Sequence, residues 1–170
     1  MNSKIKGVVW KCGDAITAYQ IVPQQYWAMS KPKPDGETMA QHLFEGLPSA
    51  DAPHSAFVQG NAQIIVAGKD FGCGGKSIPH PVIALASASV ALVIAESVSR
   101  YCYRNMVNLA LPVLICPGIG AFASSGQRLE ADILTGKITR EDGESCLAEP
   151  ISELAMKMLE AGGALRYYCK

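Results

Sequence analysis

The chain has 170 residues, 49% hydrophobic and 18% charged, so it is sized for one domain with a substantial core and carries no signature of intrinsic disorder. Fifteen basic and fifteen acidic residues cancel, and the basic ones are scattered; neither a nucleic-acid binder nor a polybasic membrane patch is expected. The longest apolar run, Val82 to Ala95, is broken by Ser87 and Ser89 and is too short to span a bilayer, and Met1 to Lys6 has no apolar signal region, so the reading is cytoplasmic.

The predicted elements begin with a strand over Ile5 to Cys12, after which Gly13-Asp14 opens a loop that ends at Ile21-Val22-Pro23. The Pro-Lys-Pro segment within Gln24 to Asp35 is too rigid and polar for an element interior, and a mobile loop is expected over 28–36. Glu37 to Glu45 has helical spacing, with Met39, Leu43 and Phe44 on one face and Gly46 as a stop. A strand over 63–67 leads into a glycine-rich loop. Beyond it the pattern gives a helix at Val82 to Ser87, a strand at Ala91 to Ala95, a helix at Val98 to Asn108 and a strand at Pro112 to Cys116. That alternation predicts a three-layer α/β core with parallel strands. The last third predicts a hairpin, Leu129 to Ile133 and Lys137 to Thr139 around Thr135-Gly136, then an amphipathic helix from Ile151 to Glu160 stopped by Gly162-Gly163. With no internal repeat and no linker, residues 1–170 read as one domain.

Chemistry concentrates where the strand Ile64-Ile65-Val66-Ala67 runs into Gly68-Lys69-Asp70-Phe71-Gly72-Cys73-Gly74-Gly75-Lys76-Ser77-Ile78-Pro79-His80. Gly72, Gly74 and Gly75 permit the positive φ angles that aim successive N–H groups at an anion. Asp70 to Ser77 resembles the phosphate-binding pattern G-x-x-x-x-G-K-[ST], yet it has Asp70 at the first position and prolines at 79 and 81 where the helix should wind. Neither downstream apolar strand ends in the aspartate that magnesium needs: one leads to Glu96, the other to Cys116. A stand-alone phosphate- or nucleotide-binding protein is the weaker alternative.

Six cysteines, at 12, 73, 102, 116, 146 and 169, show no C-x-x-C and no histidine at zinc-finger spacing, which argues against a metal site and against a secreted disulfide framework. Most of them read as buried thiols, and Cys73, in the glycine loop, is the one to watch. His42 and His54 read as surface or satisfied histidines, His80 as a loop anchor or a substrate contact.

The segments Gly13-Asp14-Ala15-Ile16 and Gln20-Ile21-Val22-Pro23 resemble G-D-N-I-D-T-D-x-I-I-P of the 3-isopropylmalate dehydratase small subunits, the swivelling domain of the aconitase family. Ala67 to Gly74 is similar to that family's A-G-x-N-F-G-C-G. Ala95-Glu96-Ser97 through Arg100, Tyr103-Arg104-Asn105 and Leu111-Pro112 resemble A-x-S-F-A-R-I-F-Y-R-N-x-x-N-x-G-L-P, and His42 to Glu45, Leu129 to Ile138 and Ala161 to Gly163 match further segments in the same order. The resemblance implies a β/β/α swivelling domain like aconitase domain 4, a large partner subunit carrying a 4Fe-4S cluster, and dehydration and rehydration of a small hydroxy acid. This chain has no clustered cysteines for such a cluster, so no cofactor of its own is expected.

The family's loop continues S-S-R-E-H, where a serine is the base and the arginine clamps a carboxylate. Here Gly75-Lys76-Ser77-Ile78-Pro79 is one residue longer if His80 and Ala84-Leu85 are aligned, and it contains no arginine; without the gap, Gly75 or Lys76 takes the serine positions and the base is missing. Ser77 is the candidate base, with Lys76 and nearby N–H groups to stabilise its alkoxide. Lys76 faces a carboxylate as a point charge, not as a planar fork. Two acidic positions of the family's first motif are Thr17 and Tyr19. The expected substrate-binding set is therefore Thr17, Tyr19, Gly72, Cys73, Gly74, Gly75, Ile78 and His80, with substrate recognition altered; a scaffold paralogue without catalysis is the other reading.

Overall fold

The structure, a computed structural model, describes residues 3–27, 35–47, 63–75 and 78–169. Its strands are β1 (Lys4–Lys11), β2 (Ile64–Ala67), β3 (Leu92–Ala95), β4 (Val113–Ile115), β5 (Arg128–Asp132), β6 (Lys137–Arg140) and β7 (Ser145–Leu147). The helices are α1 (Ala18–Ile21), α2 (Gly36–Ala40), α3 (His80–Ser87), α4 (Arg100–Asn108), α5 (Ile119–Phe122), α6 (Glu153–Ala161) and α7 (Ala164–Tyr168), with a 3-10 turn at Gln24–Tyr26.

The strands form one sheet of order β4-β3-β2-β1-β5-β6-β7. Pairing is parallel from β4 to β1 and antiparallel from β1 to β7, so the predicted parallel strands make up half of a mixed sheet. Strands β2 and β3 are buried at every residue, which is why they read as unbroken apolar runs. Their alternate side chains feed two cores. Ile65, Ala67, Val93 and Ala95 pack with Ile21, Phe44, Phe71, Leu85 and Met106 on the helical side. Ile64, Val66, Leu92 and Ile94 pack with Leu129, Ala131, Ile138, Met156 and Leu159 on the other. Helices α2, α3 and α4 thus cover one face of the parallel strands, and the curled antiparallel strands share the other with α5 and α6.

The sheet curls far enough to meet itself. Just past β7, Glu149 bridges to Ile115 at the end of β4, with its N–H 2.8 Å from the Ile115 carbonyl. The second core lies inside this closure.

Several boundaries differ from the sequence reading. The helix expected over Glu37 to Glu45 ends at Ala40 and continues as turns, with Phe44 at φ +62°, a conformation no helix contains. Strand β7 and helix α7 went unread: β7 is three residues long, and α7 starts directly after the glycines that end α6. The loop expected over 28–36 lies outside the described residues up to position 34; at its end Asp35 caps α2 by accepting from Glu37 N–H and Thr38 N–H.

Candidate active site

The loops that leave the carboxyl ends of β1, β2 and β3 run side by side, the edge at which open α/β sheets bind ligands. Gly68 N–H bonds the Gly13 carbonyl at 3.1 Å, Ala15 N–H the Lys69 carbonyl at 2.7 Å, and the Asp14 carboxylate accepts from Lys69 N–H at 2.8 Å. On the far side Phe71 N–H reaches the Ser97 carbonyl at 3.0 Å, and Ser99 Oγ donates to the Gly72 carbonyl at 2.7 Å while capping α4. Asp70 takes φ +58°, which a short polar side chain tolerates, and its N–H bonds Ser97 Oγ at 2.8 Å.

The glycine loop and the first motif therefore meet, as the sequence reading expected of a shared face. Thr17 forms a parallel bridge with Cys73, Gly72 N–H bonds the Ile16 carbonyl at 2.7 Å, and Ala18 N–H bonds the Cys73 carbonyl at 2.8 Å. Those contacts also spend donors. With Cys73 N–H on the Asp70 carbonyl at 3.3 Å, the N–H groups available for an anion start at Gly74. The Thr17 hydroxyl is taken by a capping box with Gln20, so what Thr17 contributes at this edge is helix-end geometry.

Lys76 and Ser77 lie outside the described residues. Their neighbours are anchored on both sides. Gly75 packs so close to Ala18 that an added Cβ would stand 2.7 Å from the Ala18 methyl, and the Ile78 carbonyl accepts from Asn105 Nδ2 at 3.1 Å. The pocket that Gly72, Gly75, Ile78 and Asn105 help to line is ≈ 10 Å³, room for about one water and no hydroxy acid. Asn105→Ala is expected to lower unfolding free energy by about 1 kcal/mol, read by urea titration, because it removes one part-buried hydrogen bond. Unchanged stability would mean that the Ile78 carbonyl finds another donor.

His80 opens α3 and stacks on Trp27 at 5.3 Å between ring centroids; Trp27 in turn stacks on Tyr19 at 5.2 Å. The three rings tie the first motif to the far end of the glycine loop. Trp27 was missed because an aromatic in a proline-flanked segment carries no periodic signal, and Ser99 was missed because a helix cap says nothing about its tertiary partner. His80 Nδ1 is buried without a hydrogen-bond partner among the described residues, and desolvation holds its pKa below the ordinary 6.5. The folded chain thus prefers neutral His80, whereas the unfolded chain takes up a proton below about 6.5. Stability from this site is complete above that pH and is lost as pH falls through the lower folded value. His80→Gln is expected to flatten the fall in unfolding midpoint between pH 7 and pH 5; an identical pH profile would remove His80 as its source.

Among the described residues no three His, Cys, Asp or Glu side chains gather as metal ligands would, so these residues do not fit a resident iron-sulfur cluster. No described helix is long and apolar enough to cross a membrane.

No protein-family model matches the chain. A 3-isopropylmalate dehydratase small subunit from Methanopyrus kandleri is 39% identical over 164 residues, 96% of this chain and 91% of that one. The chain belongs to the 3-isopropylmalate dehydratase small-subunit family. Other relatives in the family include an isopropylmalate/citramalate isomerase small subunit of Methanocaldococcus jannaschii, 39% identical and covering 100% of this chain and 96% of its own. A methanogen homoaconitase small subunit of Methanothermobacter thermautotrophicus is 33% identical, covering 100% and 94%. The crystal structure of 3-isopropylmalate dehydratase from Methanocaldococcus jannaschii superposes with a TM-score of 0.81 at 29% identity, covering 96% of this chain and 92% of that one. The small-subunit fold is thus shown by sequence and structure together, and the nucleotide-binding alternative has no support among these relatives.

Proposed function

We propose that this chain is the small subunit of an aconitase-type hydro-lyase that dehydrates and rehydrates a small hydroxy acid together with a large subunit, as one swivelling domain closing the cleft. The supporting observation is near-complete coverage of relatives named as small subunits of 3-isopropylmalate dehydratase, isopropylmalate/citramalate isomerase and homoaconitase. A cluster held by the large subunit would supply Lewis acidity toward the substrate hydroxyl. This chain's part is proton transfer and carboxylate binding. Abstracting a proton next to a carboxylate needs a strong base near neutral pH, and Ser77 serves if Lys76 and the N–H groups from Gly74 onward stabilise its alkoxide. The small pocket beneath the loop agrees with an active site that two polypeptides complete.

The departures from the family's loop favour altered substrate recognition. A lysine in place of the clamping arginine gives a point charge on a flexible stem, which selects less by carboxylate geometry. Lys76→Ala is expected to raise KM about 10- to 100-fold, the range for losing a charged hydrogen bond, with a smaller effect on kcat. An unchanged KM would show that Lys76 does not hold the substrate. Coexpression with its large subunit, followed by copurification and a dehydration assay on a panel of hydroxy di- and tricarboxylates, tests the whole reading. A chain that binds no large subunit, or a complex inactive on every member, defeats it.

A further inference from the structure

Cys116 follows β4 and Cys146 lies on β7, and their sulfurs are 3.9 Å apart across the line where the curled sheet closes. Cys116 is 1% exposed and its Sγ lies 3.8 Å from the Leu147 carbonyl, whereas Cys146 is only half-buried, at the edge of the second core. Burial pushes the Cys116 thiol up to about 12, so it is inert until a partner sulfur is activated. Burial also raises Cys146, but the nearby Arg140 guanidinium works in the opposite direction. One thiol is placed to meet an oxidant and the other to resolve the product.

We propose that Cys116 and Cys146 form a reversible disulfide when the chain meets a two-electron oxidant of the peroxide class, fastening β4 to β7. The Cys146 thiolate attacks peroxide, the O–O bond breaks, and sulfenic acid and water result. The Cys116 sulfur, deprotonated as it attacks, then displaces the sulfenic hydroxyl as a second water, and the S–S bond forms. Two thiols are oxidised and one peroxide is reduced to two waters. A small dithiol reverses the bond. The bridge Ile115–Glu149 already holds this closure by hydrogen bonding, and the covalent link would make it permanent while oxidant persists.

The purified reduced chain, treated with hydrogen peroxide, alkylated and digested with trypsin, should yield the peptide 105–128 joined to the peptide 141–157. Its mass should be two hydrogens below the sum. The unfolding midpoint should rise by about 5 °C, return on adding dithiothreitol, and stay unmoved by peroxide in Cys146→Ser, with Cys116→Ala as a second check. Sulfinic acid at Cys146 with Cys116 still free, a different cysteine pair as the main product, or a midpoint that falls on linking would each overturn the proposal.

Discussion

Replacing Ser77 by alanine is expected to lower turnover of the reconstituted two-subunit enzyme by about 10²–10⁴-fold, the usual worth of a positioned base, with KM changed far less. The reason is chemical. A serine hydroxyl abstracts a carbon-bound proton only when its alkoxide is stabilised, and the loop offers a cation at Lys76 and main-chain donors. The structure narrows those donors, because Gly72 N–H and Cys73 N–H are committed to Ile16 and Asp70. It also fixes the residues on either side, through Gly75 against Ala18 and the Ile78 carbonyl on Asn105. Stability should stay within about 0.5 kcal/mol of the parent if Ser77 serves the chemistry and not the fold. Steady-state kinetics with matched thermal unfolding decides the matter, and undiminished turnover removes Ser77 from the mechanism.

The second large effect concerns Gly72. This residue sits at φ +73°, and an alanine Cβ there would collide with both the sulfur and the Cβ of Cys102, which is buried on α4. The backbone conformation alone costs an alanine about 1–2 kcal/mol. The collision adds a comparable amount, since the crowded atoms belong to a helix held by the main core and cannot step aside. Gly72→Ala is therefore expected to destabilise by about 3 kcal/mol and to lower the unfolding midpoint by about 6–12 °C. Adding Cys102→Ala should restore part of the loss, because it removes the sulfur and leaves the strained φ. A Gly72→Ala protein as stable as its parent would mean that the loop backbone moves freely past α4.

Much of the fold was legible because its signals are local. Short runs of β-branched residues and leucine marked β2, β3 and β4, with Gly68 closing the first and Pro112 opening the last, and Thr135-Gly136 marked the hairpin between β5 and β6. The bridge of Thr17 with Cys73 joins the two segments that the sequence reading put in one expected substrate-binding set. Short elements were the ones missed: α1, α5, β7 and α7 owe their conformation to what they pack against.

The sequence by itself determined the family, the order of the main elements and the loop proposed to carry the chemistry, since runs, punctuating glycines and motif order are properties of neighbouring residues. Tertiary structure decided which atoms meet. The Tyr19–Trp27–His80 stack, the hydroxyl of Ser99 on the Gly72 carbonyl and the two sulfurs at the sheet closure join segments distant along the chain. Nothing periodic announces such pairs, because they are set by how the sheet curls and how the helices lie on it, and those follow from packing the whole core.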